Sequence, residues 1–366
     1  MRESERMATV GSIREELEAR EAATLSPHAA LARDSKGRRT PEPEDPIRTC
    51  FQRDRDRIVH SKAFRRLMHK TQVFLSPLGD HYRTRLTHSI EVMQLSRSIA
   101  RGCNLNEDLT EAIALGHDLG HSPFGHAGEA ALTDILSQYE AGARFIHSQQ
   151  SLRVVMYLER RGDKIGLNLT DEVLDGIAKH SKHGGALAGY GDVPRTLEGQ
   201  IVRYCDRLAY INHDIDDAIR AGIIAHDDLP ARAIETLGAS GSVRIETVVR
   251  DVIVQCRGRD EIKLSQPVLD AVEAIKDFMF ERVYLNDAAK TEEPKAQSLI
   301  KKLFVYYMEH PAELPPEFAA SAMPDDSLPR RVCDYIAGFT DRFAIKKFKE
   351  LFVETPASEI PREWDA

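Results

Sequence analysis

Residues 116–129 read GHDLGHSPFGHAGE, and they place His117, Asp118, His121, His126 and Glu129 in one short window. Adjacent residues on a helix point about 100° apart, so His117 and Asp118 meet at one centre only through their different reach. Helical spacing sets His121 one turn beyond His117, on the same face. Pro123 is expected to end that helix, and Gly120, Gly125 and Gly128 let the backbone turn closely. His126 and Glu129 stand three apart, a spacing at which a carboxylate orients an imidazole if a new helix starts there. Burying five such groups for packing alone costs several kcal/mol unless a metal, an anion or a water network satisfies them.

Working outward, Tyr82 to Arg101 carries His88 on the same stripe as Val92, Leu95 and Ile99, the spacing of a buried helix face. His88 therefore faces inward, with Arg85 one turn earlier. Asn106 is a helix N-cap followed by acids, and Leu109, Ala112, Ile113 and Leu115 supply the next apolar face. Two antiparallel helices joined by a short turn then present His88 to His117 and Asp118. Further along, LEGQIVRYCDRLAYINHDIDDAIRAG predicts a long helix on which Asp206, Tyr210 and Asp214 share one sector. Those acids suit either solvent or a site.

The chain has 366 residues, 42% of them hydrophobic, enough for a large core in one domain or two closely packed ones. A net charge of −8 argues against a generic nucleic-acid coat. The five cysteines (Cys50, Cys103, Cys205, Cys256 and Cys333) form no CxxC pair, which suits a reducing cytoplasm. No apolar run reaches the about 18 residues of a membrane span, and the N-terminus carries no hydrophobic signal segment. A soluble cytoplasmic protein is expected.

Strand signals are weak and no fixed-period repeat is visible, so the expectation is an all-α fold. Residues 1–46 contain a helix-prone piece and the charged segment SKGRRTPEPEDP, and are expected to be a mobile arm. Residues 47–225 form the site-bearing core, and 226–366 a helical C-terminal region packed on it. Arg65, Arg66 and Lys70 read more readily as a solvated helix face than as site residues. The glycines of KHSKHGGALAGYGDVP suggest a flexible loop, either a lid or a surface connection.

His88, the pair His117 and Asp118, and Asp206 reproduce the H…HD…D signature of HD-domain phosphohydrolases. The blocks FQRDRDRIVHSKAFRRLMHKTQVF, RTRLTHSIEV, GHDLGHSPFGHAGE and YCDRLAYINHDIDDA resemble, in that order, the deoxyguanosine triphosphate triphosphohydrolase family within them. KAQSLIKKLFVYYMEHP resembles the helical region that follows the HD core in this branch, so the likeness runs over about residues 47–355.

The resemblance implies cleavage of a deoxynucleoside triphosphate between the 5′ oxygen and the α-phosphorus, with a role in dNTP pool control. It implies His88, His117, Asp118 and Asp206 as ligands of one divalent metal ion, Mn²⁺ ahead of Mg²⁺ or another transition ion. His126, oriented by Glu129, then has a part in proton transfer. Arg85, His121, His147 and Arg207 are implied against the triphosphate, and Gln72, Tyr210 and Asp214 against the sugar. A homo-oligomer and a dNTP activator complete what the resemblance suggests. Two alternatives remain: another HD-superfamily nucleotide phosphohydrolase or phosphodiesterase, and a nucleic-acid-binding regulatory protein with a vestigial site. The basic blocks make single-stranded nucleic acid a candidate partner under either activity.

Overall fold

The computed structural model of the protein describes residues 12–71, 84–181, 193–284, 293–319, 323 and 326–353, with the side chains of Tyr210, Ile211 and His213 set aside. The expected lid lies largely outside the described residues, as does Gln72. Within them the fold is all-α, sixteen α-helices with one two-stranded hairpin.

Local chemistry starts the helices that matter. Helix α1 spans Ile13–Thr24, and α2 spans Cys50–Val59 behind a capping box in which Thr49 and Gln52 satisfy each other's backbone N–H. After α3 (Lys62–Arg66), Thr84 caps α4 (Arg85–Gly102) and Asn106 caps α5 (Glu107–Gly116), whose first turn carries Glu107 and Asp108. Residues 117–124 are turns, and α6 (Gly125–Tyr139) starts after Phe124 and Gly125, both in the left-handed region at φ 62° and 55°. The helix therefore ends before Pro123, because His117–Gly120 already turns away, and His121 does not lie on an α-helical face with His117.

Helix α7 (His147–Arg153) runs through a π-turn to Leu158 and into a hairpin of β1 (Arg160–Arg161) and β2 (Lys164–Ile165). Helix α8 spans Asp171–Lys179, and α9 is the long Leu197–Arg220 helix capped by Thr196. Then come α10 (Ala231–Leu237), α11 (Gly241–Cys256) and α12 (Gln266–Met279). The last four are α13 (Glu293–Glu309), α14 (Pro316–Ala319), α15 (Leu328–Ala337) and α16 (Asp341–Phe352).

Two apolar cores organise these elements. The first runs from Ala32 to Val283 in sequence and joins α2, α4, α5, α8, α9, α11 and α12. The second is built from α6, α13, α15 and α16, with Phe124 and Phe145. The division falls inside both expected regions rather than at residue 226: α10 to α12 complete the first core, while α6 leaves it for the second.

Residues 12–46, expected to be mobile, are instead laced to the core, while residues 1–11 lie outside the description. Ala30 and Asn106 both donate backbone N–H groups to the buried carboxylate of Glu198 on α9, at 3.1 and 2.9 Å. Arg38 pairs with Asp54, and Glu42 gathers Arg38, Arg57 and Arg161. The charges of the segment do not solvate it; they find partners on α2 and the hairpin.

The second core reaches the site through hydrogen bonds. Asp341 accepts from the backbone N–H of Thr71 and of Phe124, each at 2.9 Å. Lys70, expected on a solvated face, is fully buried and donates to the carbonyls of His121 and Ala337, and burial pushes its pKa down to about 7. Asp334 on α15 accepts from Gln150 at 2.9 Å and from Arg153 at 2.8 Å. Replacing Asp334 with Ala strands the buried Gln150 amide and takes one of the two carboxylates from Arg153, which keeps Asp326, and the expected loss is about 3 kcal/mol in urea denaturation followed by circular dichroism.

Candidate active site

Three helices converge where α4, α5 and α9 pack on one another. The first turn of α4 supplies Arg85 and His88, the turn after α5 supplies His117, Asp118 and His121, and the middle of α9 supplies Asp206. His88 Nε2 lies 3.0 Å from Asp206 Oδ1, and His117 Nε2 lies 3.7 Å from the same oxygen and 3.4 Å from Asp118 Oδ1. Ligand atoms of His88, His117 and Asp206 all fall within 4.8 Å of one another.

Gly120 makes this turn fit. A Cβ there would stand 2.0 Å from the backbone nitrogen of Ser151, so only glycine lets α7 approach. Ser151 Oγ accepts from the Gly120 N–H at 2.8 Å and donates to the His117 carbonyl at 2.6 Å, fixing the turn to α7.

The histidine tautomers follow from their neighbours. His117 Nδ1 is 2.6 Å from the Ala114 carbonyl, an acceptor, so Nδ1 carries the proton and Nε2 keeps its lone pair. That Nε2 is buried with no hydrogen-bond partner among the described residues. Two imidazoles and two carboxylates with such a bare buried nitrogen fit a divalent metal ion. Burial by itself would raise both carboxyl pKa values. For Asp118 its contacts with the His117 and His121 imidazoles and the guanidinium of Arg85 outweigh it, and for Asp206 the hydrogen bond of His88 does, so both stay ionised as ligands must.

Arg85 is buried and donates to Asp118 Oδ2 at 2.9 Å. His121 Nε2 lies 3.3 Å from Asp118 Oδ1, and its ring stacks on His147 at 4.1 Å and 13°. Asp214 is buried on α9 two turns beyond Asp206, Arg207 is half-buried beside Asp206, and Tyr210 lies one turn on, its side chain outside the description.

One expected pairing is corrected. Glu129 lies 3.9 Å from His126 Nδ1, beyond hydrogen-bond reach, and instead accepts from His147, from Nδ1 at 3.2 Å and from the backbone N–H at 3.0 Å. Helical spacing brought His126 and Glu129 near each other, but α7 delivers a better donor from across the fold. His126 is the exposed histidine of the cluster, with 60% of its side chain accessible and its ring centroid 6.3 Å from that of His121. One residue escaped the sequence reading: His180, just past the end of α8, whose ring centroid is 5.0 Å from that of His117. Val173, Ile177 and His180 have the same inward spacing that singled out His88, so the signal was there.

A cluster of two buried histidines, a buried aspartate and a half-buried one, braced by an arginine on a helical scaffold, defines an HD-domain phosphohydrolase. Residues 85–211 match the family model of the HD domain, and residues 262–350 match that of a phosphohydrolase-associated domain. Deoxyguanosinetriphosphate triphosphohydrolase-like proteins are similar over nearly the full length. That of Caldanaerobacter subterraneus subsp. tengcongensis is 52% identical over 347 residues, covering 95% of this chain and 97% of the relative. Those of Desulfatibacillum aliphaticivorans and Ralstonia pickettii are 49% and 41% identical, covering 94% and 90% of this chain and 99% and 94% of theirs. The chain belongs to the deoxyguanosinetriphosphate triphosphohydrolase-like family. No helix among the described residues is long and apolar enough to cross a membrane.

Burial lowers the His147 pKa, but the hydrogen bond and charge of Glu129 outweigh it and hold the value above the ordinary one. Glu129→Gln should therefore lower the His147 pKa in the metal-free protein, read by NMR titration of labelled histidines. An unmoved His147 resonance would break the assigned pair.

Proposed function

We propose that the protein hydrolyses deoxynucleoside triphosphates to deoxynucleoside and inorganic triphosphate, and through this acts on the dNTP pool. The observation that carries the reading is the convergence of His88, His117, Asp118 and Asp206 beside the buried Arg85. When bound by those four residues, a divalent ion, Mn²⁺ before Mg²⁺ or another transition ion, supplies Lewis-acid activation of a phosphate oxygen and of water.

The chain's own groups do the rest. His126, the exposed histidine of the cluster, is the proton donor to the leaving 5′ oxygen, which would otherwise depart as a strongly basic alkoxide. Glu129 acts through His147: it fixes the Nδ1 proton of that imidazole and so turns Nε2 toward the site. Arg85, His121, His147 and Arg207 face the triphosphate, where cationic and polar groups offset the charge of the transition state. Gln72, Tyr210 and Asp214 take the deoxyribose in this reading, a tyrosine ring under the sugar leaving no room for a 2′ hydroxyl. A homo-oligomer and activation by a second dNTP belong to the same proposal.

Part of the basic surface behind the nucleic-acid alternative is taken up by internal ion pairs, while Arg65 stays exposed. In FQRDRDR the arginines pair with Glu42, Asp56 and Asp108, and Lys70 of the second basic block is buried.

Product analysis with Mn²⁺ and each dNTP, singly and mixed, with NTP controls, tests the reaction. Deoxynucleoside plus intact triphosphate is expected, and release of phosphate or pyrophosphate would overturn it. Turnover confined to dNTP mixtures would mark an activator. Asp206→Ala should lose bound Mn²⁺ and turnover together. His126→Ala should keep the metal and lose about 10²-fold or more in kcat; a near-wild-type rate would remove it from proton transfer.

A further inference from the structure

A cleft of about 460 Å³ opens between α3, the π-turn after α7, the start of the hairpin, α14 and α15. Leu119 and Gly120 line it, but among the described residues none of those assigned to the metal, the triphosphate or the sugar does. Four cations meet there: Lys62 and Arg66, one turn apart on α3, Lys70 just after it, and Arg160 on β1. Lys62, Arg66 and Arg160 have no ion-pair partner among the described residues.

The acids that share the cleft are committed elsewhere. Glu159 accepts the backbone N–H groups of Lys62 and Ala63 at 3.2 and 2.6 Å, and Asp334 is held by Arg153, Arg330 and Gln150. Glu317, exposed on α14, is left alone against the four cations. Lys70 is the buried one at 2% exposure, and its ammonium donates to the carbonyls of His121 and Ala337 with no carboxylate in ion-pair reach among the described residues. An ammonium has three N–H donors, so one remains. Positive charge gathered around a cavity and left unanswered by the protein is satisfied by an anion.

The spread of that charge sets the class of anion. The cations come from α3, the segment after it and the hairpin, so one carboxylate or a single phosphate reaches only some of them. A short phosphate chain carries anionic oxygens on every phosphorus, and the guanidinium forks of Arg66 and Arg160 match such oxygens in pairs. We propose that the cleft of Lys62, Arg66, Lys70 and Arg160 binds a short oligophosphate, at a site distinct from the histidine and aspartate cluster. The chain is either free, as the inorganic triphosphate that the proposed reaction releases, or the tail of a nucleotide; only the first source rests on that reaction. Occupancy reaches the active site through Lys70, which ties the His121 carbonyl to α15.

The test is isothermal titration calorimetry of sodium triphosphate into the full-length protein in chelator at physiological ionic strength, where no metal helps the candidate active site to hold a phosphate. Wild type should bind one triphosphate per chain. Arg66→Gln and, independently, Arg160→Gln on the exposed hairpin should each weaken binding about 10-fold or more, while keeping the wild-type melting curve and the initial rate of dNTP turnover with Mn²⁺. A dNTP that displaces the bound triphosphate at a lower concentration than free triphosphate does would mark the nucleotide tail as the source, and the reverse order the free chain. No binding by wild type would overturn the site, as would undiminished binding by both folded variants, which would seat the anion at Arg85 and Arg207. Displacement by oligothymidylate at still lower concentration would overturn it too, in favour of a nucleic-acid strand. None of these outcomes touches the product analysis, so the cleft and the proposed reaction fail separately.

Discussion

The packing together of two ionised carboxylates, the buried Asp118 and the half-buried Asp206, is the constraint on which the rest of the structure depends. A lone carboxylate in this interior would cost several kcal/mol, and the helices are arranged so that neither is alone. Arg85 and His121 brace Asp118, and His88 braces Asp206. The same contacts that make the carboxylates tolerable keep them charged, and a cation site needs that charge.

Holding these groups in place takes more than the three helices that carry them. The turn after α5 has few hydrogen bonds of its own, and the second core supplies them from a distant part of the chain. Asp341 caps the Phe124 N–H, Lys70 links the His121 and Ala337 carbonyls, and α7 docks through Ser151 against Gly120. The helices that resemble an accessory region are thus part of how the HD segment keeps its shape, and a break in the Asp334 network would be felt at His147, two turns along α7 from Arg153.

Imidazole orientation is the second theme. His117, His147 and His180 each give their Nδ1 proton to a fixed acceptor, and each is left with Nε2 for the site. An arrangement in which the protein spends no proton on the inner nitrogens is suited to cations, and it separates these three from His126, whose side chain is exposed to solvent.

Much of this was legible in the chain. Periodicity and caps marked the helices, and the density of chemistry in residues 116–129, with His88 on an inward stripe, marked the site. What sequence could not supply was pairing across distance. The spacing of His126 and Glu129 suggested a local dyad, but a carboxylate takes the best donor in space, and that is His147 from α7. The charged residues 35–46 looked solvated because their partners, Asp54, Arg57 and Arg161, are near only after folding. His180 had the right spacing and no local partner to draw notice. The sequence by itself determined an all-helical fold and the four residues of the HD signature, because helical periodicity and side-chain chemistry are local. Only the tertiary structure decided which carboxylate holds which imidazole, and that Lys70 is buried, because burial and hydrogen-bond partnership are set by helices that meet from opposite ends of the chain.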